Sequence, residues 1–476
     1  MGKLATAFIV LLLSSALMTA QERPLAPTPP MGWNSWDAFG ESVKESDIRA
    51  TAEWMAKNLK SYGWQYVVVD SGWYVKNHAA EYNAKDAEFS LDGFGRYTPA
   101  ANTIPSADEG KGFRPLADYV HSLGLKFGVH ILRGIPREAV AKNLPIEGSN
   151  FHAQDAADTS DTCPWNPFNY GLDTRKPSAQ AYYDSLARQF AEWGVDYVKV
   201  DCISSHPYKG DEIRLLSQAL KKVKRPMVLS LSPGPAPLEK AEEMAKYAQL
   251  WRISDDEWDV WQGKEDFPQG VNNQFERAAA WARHTRQGNW PDADMLAIGE
   301  LRPAPGWGEP RTSRLTKDEQ RTLLTLWAIF RSPLIIGGNL LLCDEWTKSL
   351  LTNAEVIAVN QSSTNNHAVE TTPNSAVWVA ETEAGGDTYV AVFNRSHAAQ
   401  SLHYDFAKLG LTRSQYELRN LWEHKELGWA KAIDVKLAAH ASVLYLLQSP
   451  GQIGTIRESG EPSAEKGGLH KTATAE

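Results

Sequence analysis

The chain has little that would staple it, anchor it or draw it to a charged macromolecule. It carries only three cysteines, Cys163, Cys202 and Cys343, too few for a disulfide scaffold and an odd number that cannot pair completely. Cys163 with Cys202 is the one pairing worth testing; three buried thiols acting as small hydrophobes is an equally good reading. There is no run of Lys or Arg and the formal net charge is −9, so no basic patch is available for phosphates and nucleic acid is not an expected partner. No apolar run reaches the ~20 residues that a bilayer helix needs, so no membrane insertion is expected. The 12 histidines show no H-E-x-x-H or other dense ligand spacing, which argues against a metal site. The segment MGWNSWDAFG lacks the G-x-G-x-x-G of a dinucleotide fold, and no G-x-S-x-G elbow occurs. No cofactor is expected, and no oligomeric state is specified.

What is present begins with MGKLATAFIVLLLSSALMTA, which combines Lys3, a short apolar stretch and small residues up to Ala20. That is the layout of a signal peptide over 1–20, and it predicts a secreted or periplasmic protein cleaved near Ala20. A unit then recurs: an amphipathic helix, a glycine, and a short apolar run ending on a polar residue. The stripe Ile48, Ala52, Met55 and Leu59 within a helix over 42–62 leads through Gly63 to YVVVD. Leu116, Val120 and Leu123 lead to KFGVHI, and Leu186 and Phe190 lead to DYVKVD. MVLSLS, LWRISDD, DADMLAIG and PLIIGG read as further strands, and Thr316 with Glu319 forms a capping box opening the last long helix. With WNSWD this gives about eight strands, which predicts an α/β fold, a (β/α)₈ TIM barrel over 27–362. From 363 to 449 the texture is alternating and β-branched, predicting a small antiparallel β-sandwich. The polar stretch 450–476 reads as a disordered tail. Sequons occur at Asn360 and Asn394.

In a parallel barrel the reactive groups sit at the carboxyl ends of the strands. Here those ends are acidic at Asp70, Asp201, and Asp255 with Asp256. Glycosidic cleavage needs one ionised and one protonated carboxyl group, and strands four and six can supply such a pair. The 18 tryptophans, many beside acids as in NSWD, DSGW and DDEWDVW, suit the apolar faces and hydroxyl rims of sugars. Lys199 lies two residues before Asp201, so alternation puts both on one face, where the ammonium favours an ionised carboxylate. The same spacing also describes a structural ion pair. Arg252, four residues before Asp256, likewise reads either as a substrate-orienting fork or as an ion-pair partner.

Seven segments, TPPMGWNSWDAFG, YVVVDSGW, GLKFGVHI, GVDYVKVDC, WRISDDEWDVW, NWPDADMLAIG and RSPLIIGG, occur in an order that resembles glycoside hydrolase family 27, the α-galactosidase and α-N-acetylgalactosaminidase family. The resemblance runs from about Thr28 to Gly338, and the family's β-sandwich suits the segment after Asn360. It implies Asp201 as nucleophile and Asp256 as acid/base in a double displacement. Asp256 must then hold its proton at working pH, which calls for partial burial or a negative neighbour such as Asp255, a position usually glycine.

The resemblance further implies that Trp36 walls the sugar pocket, that Asp70 accepts from sugar hydroxyls and that Met295 lines the pocket. Ser71 replaces the second of two aspartates, and His130 stands where tyrosine is common. Ser232 falls near a residue that reads the C2 substituent. Arg133 and Arg137 either contact an unusual leaving group or salt-bridge rim acids. The expected function is a secreted retaining exo-α-glycosidase, foremost an α-galactosidase. The alternatives are a β-L-arabinopyranosidase, an α-N-acetylgalactosaminidase, an isomaltose-releasing glucanase, or a sugar-binding protein without turnover.

Overall fold

The computed structural model describes residues 24–77, 87–302 and 307–449. The leader expected over 1–20 and the tail expected over 450–476 lie outside the described residues. After a short helix, Trp36–Phe39, the first long helix spans Glu45–Asn58 and buries Ile48, Ala52 and Met55; separate 3₁₀ turns, Gly40–Ser42 and Lys60–Tyr62, flank it in the segment read as one helix over 42–62. Its apolar stripe packs on the first strands of an eight-stranded parallel sheet. These strands are β1 (Met31–Asn34), β2 (Tyr66–Val69), β3 (Lys126–Leu132), β4 (Tyr197–Asp201), β5 (Val228–Leu231), β6 (Leu250–Arg252), β7 (Trp290–Asp292) and β8 (Leu334–Ile336). They lie in the order β7-β6-β5-β4-β3-β2-β1-β8. A parallel bridge between Leu296 and Ile336 joins the two edges, with Leu296 N–H donating to Ile335 O at 2.7 Å and Gly337 N–H to Leu296 O at 3.0 Å. The sheet thus curls into the TIM-like barrel that the strand count predicts.

The strand read over DADMLAIG is shorter than expected. β7 stops at Asp292, whose Oδ1 accepts from Asp294 N–H at 2.9 Å, and the chain turns there with Asp294 at φ 90°. It rejoins the sheet only at Leu296. A side-chain carboxylate competing for a backbone donor is the local event that ends a strand in a turn.

Period two decides what each strand sends inward. In β4, Val198 and Val200 join the core under the helices. Tyr197 instead packs inside the barrel with Tyr66, Val68, Val228, Leu250 and Trp290. Lys199 and Asp201 continue that inner row toward the open end of the barrel. The ring is tight where strands meet: a Cβ at Gly32 would lie 2.5 Å from Tyr66 O.

The carboxy-terminal strands are β9 (Ser363–Thr371), β10 (Ser375–Thr382), β11 (Thr388–Asn394), β12 (Gln400–Asp405), β13 (Tyr416–Asn420), β14 (Lys425–Ala430), β15 (Ala432–Leu437) and β16 (Ser442–Gln448). They form a six-stranded sheet, β9-β10-β11-β16-β13-β14, and a two-stranded one, β12-β15. One face of β10 and β11, with Ala376, Trp378, Ala391 and Phe393, joins the barrel's core. The other, with Val377, Val379, Val390 and Val392, fills the sandwich. Both sequon asparagines are fully buried. Asn360 Nδ2 donates to the carbonyls of Trp327 and Ser332, and Asn394 Nδ2 donates to those of Ala398, Leu437 and Ala438. They serve as structural amides.

Candidate active site

The open end of the barrel holds a cleft of about 770 Å³ lined by Trp36, Asp70, Ser71, His130, Lys199, Asp201, Ser232, Asp256 and Met295. Nine of the ten site residues named from the sequence therefore meet in one cavity. The tenth, Arg252, lies beneath it, in a small cavity shared with Lys199, Ser232, Asp294 and Met295.

The floor is a charged network. Asp70 Oδ2 accepts from Asn34 Nδ2 at 2.6 Å and from Lys199 Nζ at 2.8 Å. Strand alternation does point Lys199 inward, but its direct ion-pair partner is Asp70, one strand beyond the neighbouring β3, rather than Asp201. Burial alone would push the Asp70 carboxyl up. The charges of Lys199 and His130, the Lys199 hydrogen bond and the Ser71 amide outweigh it and hold Asp70 well below the usual carboxylate range. Burial likewise works against the Lys199 ammonium, yet Asp70 keeps it above its ordinary value.

Asp201 is a carboxylate dressed for ionisation. Its Oδ1 accepts from Cys202 N–H at 2.8 Å, its Oδ2 from Trp165 Nε1 at 3.3 Å, and His130 Nε2 stands 3.8 Å from Oδ2. Burial raises it; His130, Lys199 and the Cys202 amide together lower it below the ordinary Asp value. Asp256 differs in kind: its side chain is 43% exposed, and its Oδ1 is 3.3 Å from Arg252 Nη2. The same Nη2 lies 2.6 Å from Asp294 Oδ2, which also accepts from Glu257 N–H at 2.8 Å. Arg252 thus ties the loop after β6 to the turn after β7. Burial pushes Asp294 up against the pull of Arg252. Beside it, burial lifts Glu257 and Asp37 well above the ordinary range. Burial also raises Asp255, against His206 and Arg252, which lower it.

Several cleft residues were missed in the sequence. Trp165, His206, Asp266 and Phe267 line its mouth, on loops without periodicity. Asp294 did carry a signal, since Asp292 and Asp294 alternate past a strand end as Lys199 and Asp201 do. Cys163 and Cys202 form a disulfide, which fastens the Trp165 loop to the residue after Asp201. Arg133 is 2% exposed and pairs with Asp161 at 2.8 Å and Glu212 at 2.9 Å, while donating to Cys202 O at 2.6 Å. It supports the Asp201 strand end from behind and does not line the cleft. Arg137 stacks on Tyr170, 4.7 Å from the ring centroid.

With this geometry in hand, comparison with known proteins is informative. The family model for α-galactosidase A matches residues 170–362, and that for the α-galactosidase C-terminal β-sandwich domain matches 372–447. An α-galactosidase of Coffea arabica is 30% identical over 429 residues, covering 89% of this chain and 94% of its own length. A β-L-arabinopyranosidase of glycoside hydrolase family 27 from Geobacillus stearothermophilus superposes with a TM-score of 0.84 at 45% identity, covering 90% of this chain and 98% of its own. A candidate α-N-acetylgalactosaminidase from Bacillus halodurans follows at 0.80 and 41%, with 90% and 98% covered.

Proposed function

The chain belongs to glycoside hydrolase family 27, and on that premise we propose that it is a retaining exo-glycosidase for pyranosides of the galacto configuration, cleaving β-L-arabinopyranosides in preference to α-D-galactosides. The two sugars share ring stereochemistry and differ by one hydroxymethyl group. The observation that carries the preference is Ser71. It lies buried beside Asp70 in the cleft, where the family resemblance calls for a second aspartate. The loss of a charged acceptor beside Asp70 loosens the site's hold on galactose, since a buried hydrogen bond to a charged group contributes about 1.5–3 kcal/mol. The similarity to the Geobacillus arabinopyranosidase supports the same reading. α-Galactosidase activity is the second reading, favoured by both matching family models.

In this mechanism Asp201 attacks the anomeric carbon while Asp256 protonates the departing oxygen. Asp256 then takes a proton from water, which releases the sugar with its configuration retained. The depressed Asp201 supplies the ionised nucleophile. Half-exposed Asp256 stands where the water of the second step can reach it. Asp70 and Lys199 are the acceptor and donor offered to the ring hydroxyls. An exported location belongs to the same proposal: the amino-terminal segment argues for it, and the Cys163–Cys202 disulfide suits an oxidising compartment.

The test is a panel of para-nitrophenyl β-L-arabinopyranoside, α-galactoside, α-N-acetylgalactosaminide and α-glucoside. The arabinopyranoside is expected to be fastest, Asp201→Asn to lose at least ~10³-fold in kcat, and Ser71→Asp to shift the kcat/KM ratio toward the α-galactoside. Turnover of none of the four defeats the exo-glycosidase reading. An unmoved ratio in Ser71→Asp defeats the assignment of specificity to that position.

A further inference from the structure

The cleft has two tiers. Its floor residues, Asp70, Ser71, His130, Ser232 and Met295, are buried. Its mouth is open: Trp165 is 37% exposed, Phe267 42% and the His206 side chain 48%. The floor seats the ring of the sugar that Asp201 attacks. The mouth borders Asp256, whose backbone carbonyl accepts from Gln269 N–H at 2.9 Å. The loop bearing Phe267 is therefore fastened to the acid/base strand end, on the side from which a proton reaches the leaving oxygen.

Resting on the proposed reaction, we infer that Asp255, His206 and Phe267 form a leaving-group subsite that binds a neutral sugar. Asp255 Oδ1 lies 3.2 Å from His206 Nε2, so acceptor and donor stand side by side at the edge of the cavity, as vicinal hydroxyls require. His206 is a non-glycine residue at φ 58°, an uncommon backbone state that surrounding structure must hold and that clusters at ligand sites. The Phe267 and Trp165 rings offer flat apolar surface to the C–H faces of a pyranose. Trp165 also faces His206, ring centroids 6.4 Å apart. Charge decides between leaving groups of similar shape: Asp255 and Asp266 line this mouth beside Asp256, which holds its proton while the leaving group is bound, so an anionic aglycone such as a uronate meets like charge at the other two, and a neutral sugar does not.

The discriminating experiment measures kcat/KM for two substrates sharing one glycone: β-L-arabinopyranosyl fluoride, which has no aglycone, and the same sugar linked to glucose. If the galactosyl pair is the faster, it is used instead. In His206→Ala, Phe267→Ala and Asp255→Asn the ratio of disaccharide to fluoride activity is expected to fall tenfold or more. The wild type should also cleave a glucose-linked substrate at least tenfold faster than a glucuronate-linked one, a gap that Asp255→Asn narrows. A ratio unchanged in all three variants overturns the subsite, and so does equal cleavage of the glucuronate. Wild-type inactivity on both fluoride and disaccharide would instead overturn the reaction on which the subsite rests.

Discussion

At the scale of the residue, the Asp70–Lys199 pair shows how a site can be both functional and structural. Both groups are buried, and removing one partner leaves an uncompensated charge, a change that costs about 3–5 kcal/mol. Asp70→Asn is thus expected to destabilise the fold by that order in denaturant unfolding at neutral pH, as well as to weaken sugar binding. The pH dependence has a definite sign. Asp70 is depressed in the folded state, below the ordinary value of about 3.9. Its contribution is therefore present in full above pH ~4 and is lost as pH falls through the folded value. Wild-type stability should fall more steeply below pH ~4 than that of Asp70→Asn. Parallel slopes would show that the pair is not linked to folding. Alternation alone was enough to read Lys199 as inward-facing. Its choice of Asp70 over Asp201 depends on how far a four-carbon stem reaches across the barrel, and no spacing along one strand encodes that.

At the scale of the element, the strand ends and the loops behave differently. Helix stripes and apolar strands were legible because burial imposes periods of 3.6 and two on the sequence. YVVVD, KFGVHI and DYVKVD accordingly stand in the sheet, with Asp70 and Asp201 at the expected ends of the first and third. The failure at DADMLAIG has a local cause, the Asp292 carboxylate closing a turn on Asp294, in a segment whose hydrophobicity alone continues like a strand. The mouth loops carry no period. Only the cysteine pairing hinted that residues near 163 would stand against Asp201, and that cross-link now makes a prediction. Cys163→Ser removes the tether between Cys202 and the loop bearing Trp165, whose indole donates to Asp201 Oδ2. It should lower stability by about 2–4 kcal/mol and reduce kcat more than it raises KM, because the affected contact is on the proposed nucleophile. Thermal unfolding with steady-state kinetics checks both; unchanged kcat would mean that the Trp165 contact is dispensable.

At the scale of the whole molecule, one face of the sandwich is built into the barrel's core. The inner face of β10 and β11 completes the packing of the barrel's helices while the outer face closes the sandwich. The alternation that predicted strands after residue 363 also divides each strand between two cores, which a single sequence expresses only as a nearly continuous apolar run. The active site lies at the other kind of junction, where eight separate strand ends converge. For that reason its acids and Arg252 were found one by one, while Asp294, the second partner of Arg252 from the turn after the next strand, was not.

In the proposed mechanism Asp201 and Asp256 carry out two successive displacements at the anomeric carbon, each inverting its configuration. The most direct test is proton NMR of the first sugar released from para-nitrophenyl β-L-arabinopyranoside, or from the α-galactoside if that is the better substrate, before mutarotation. The product is expected to appear first as the anomer of the substrate's own configuration; first appearance of the opposite anomer would rule out double displacement.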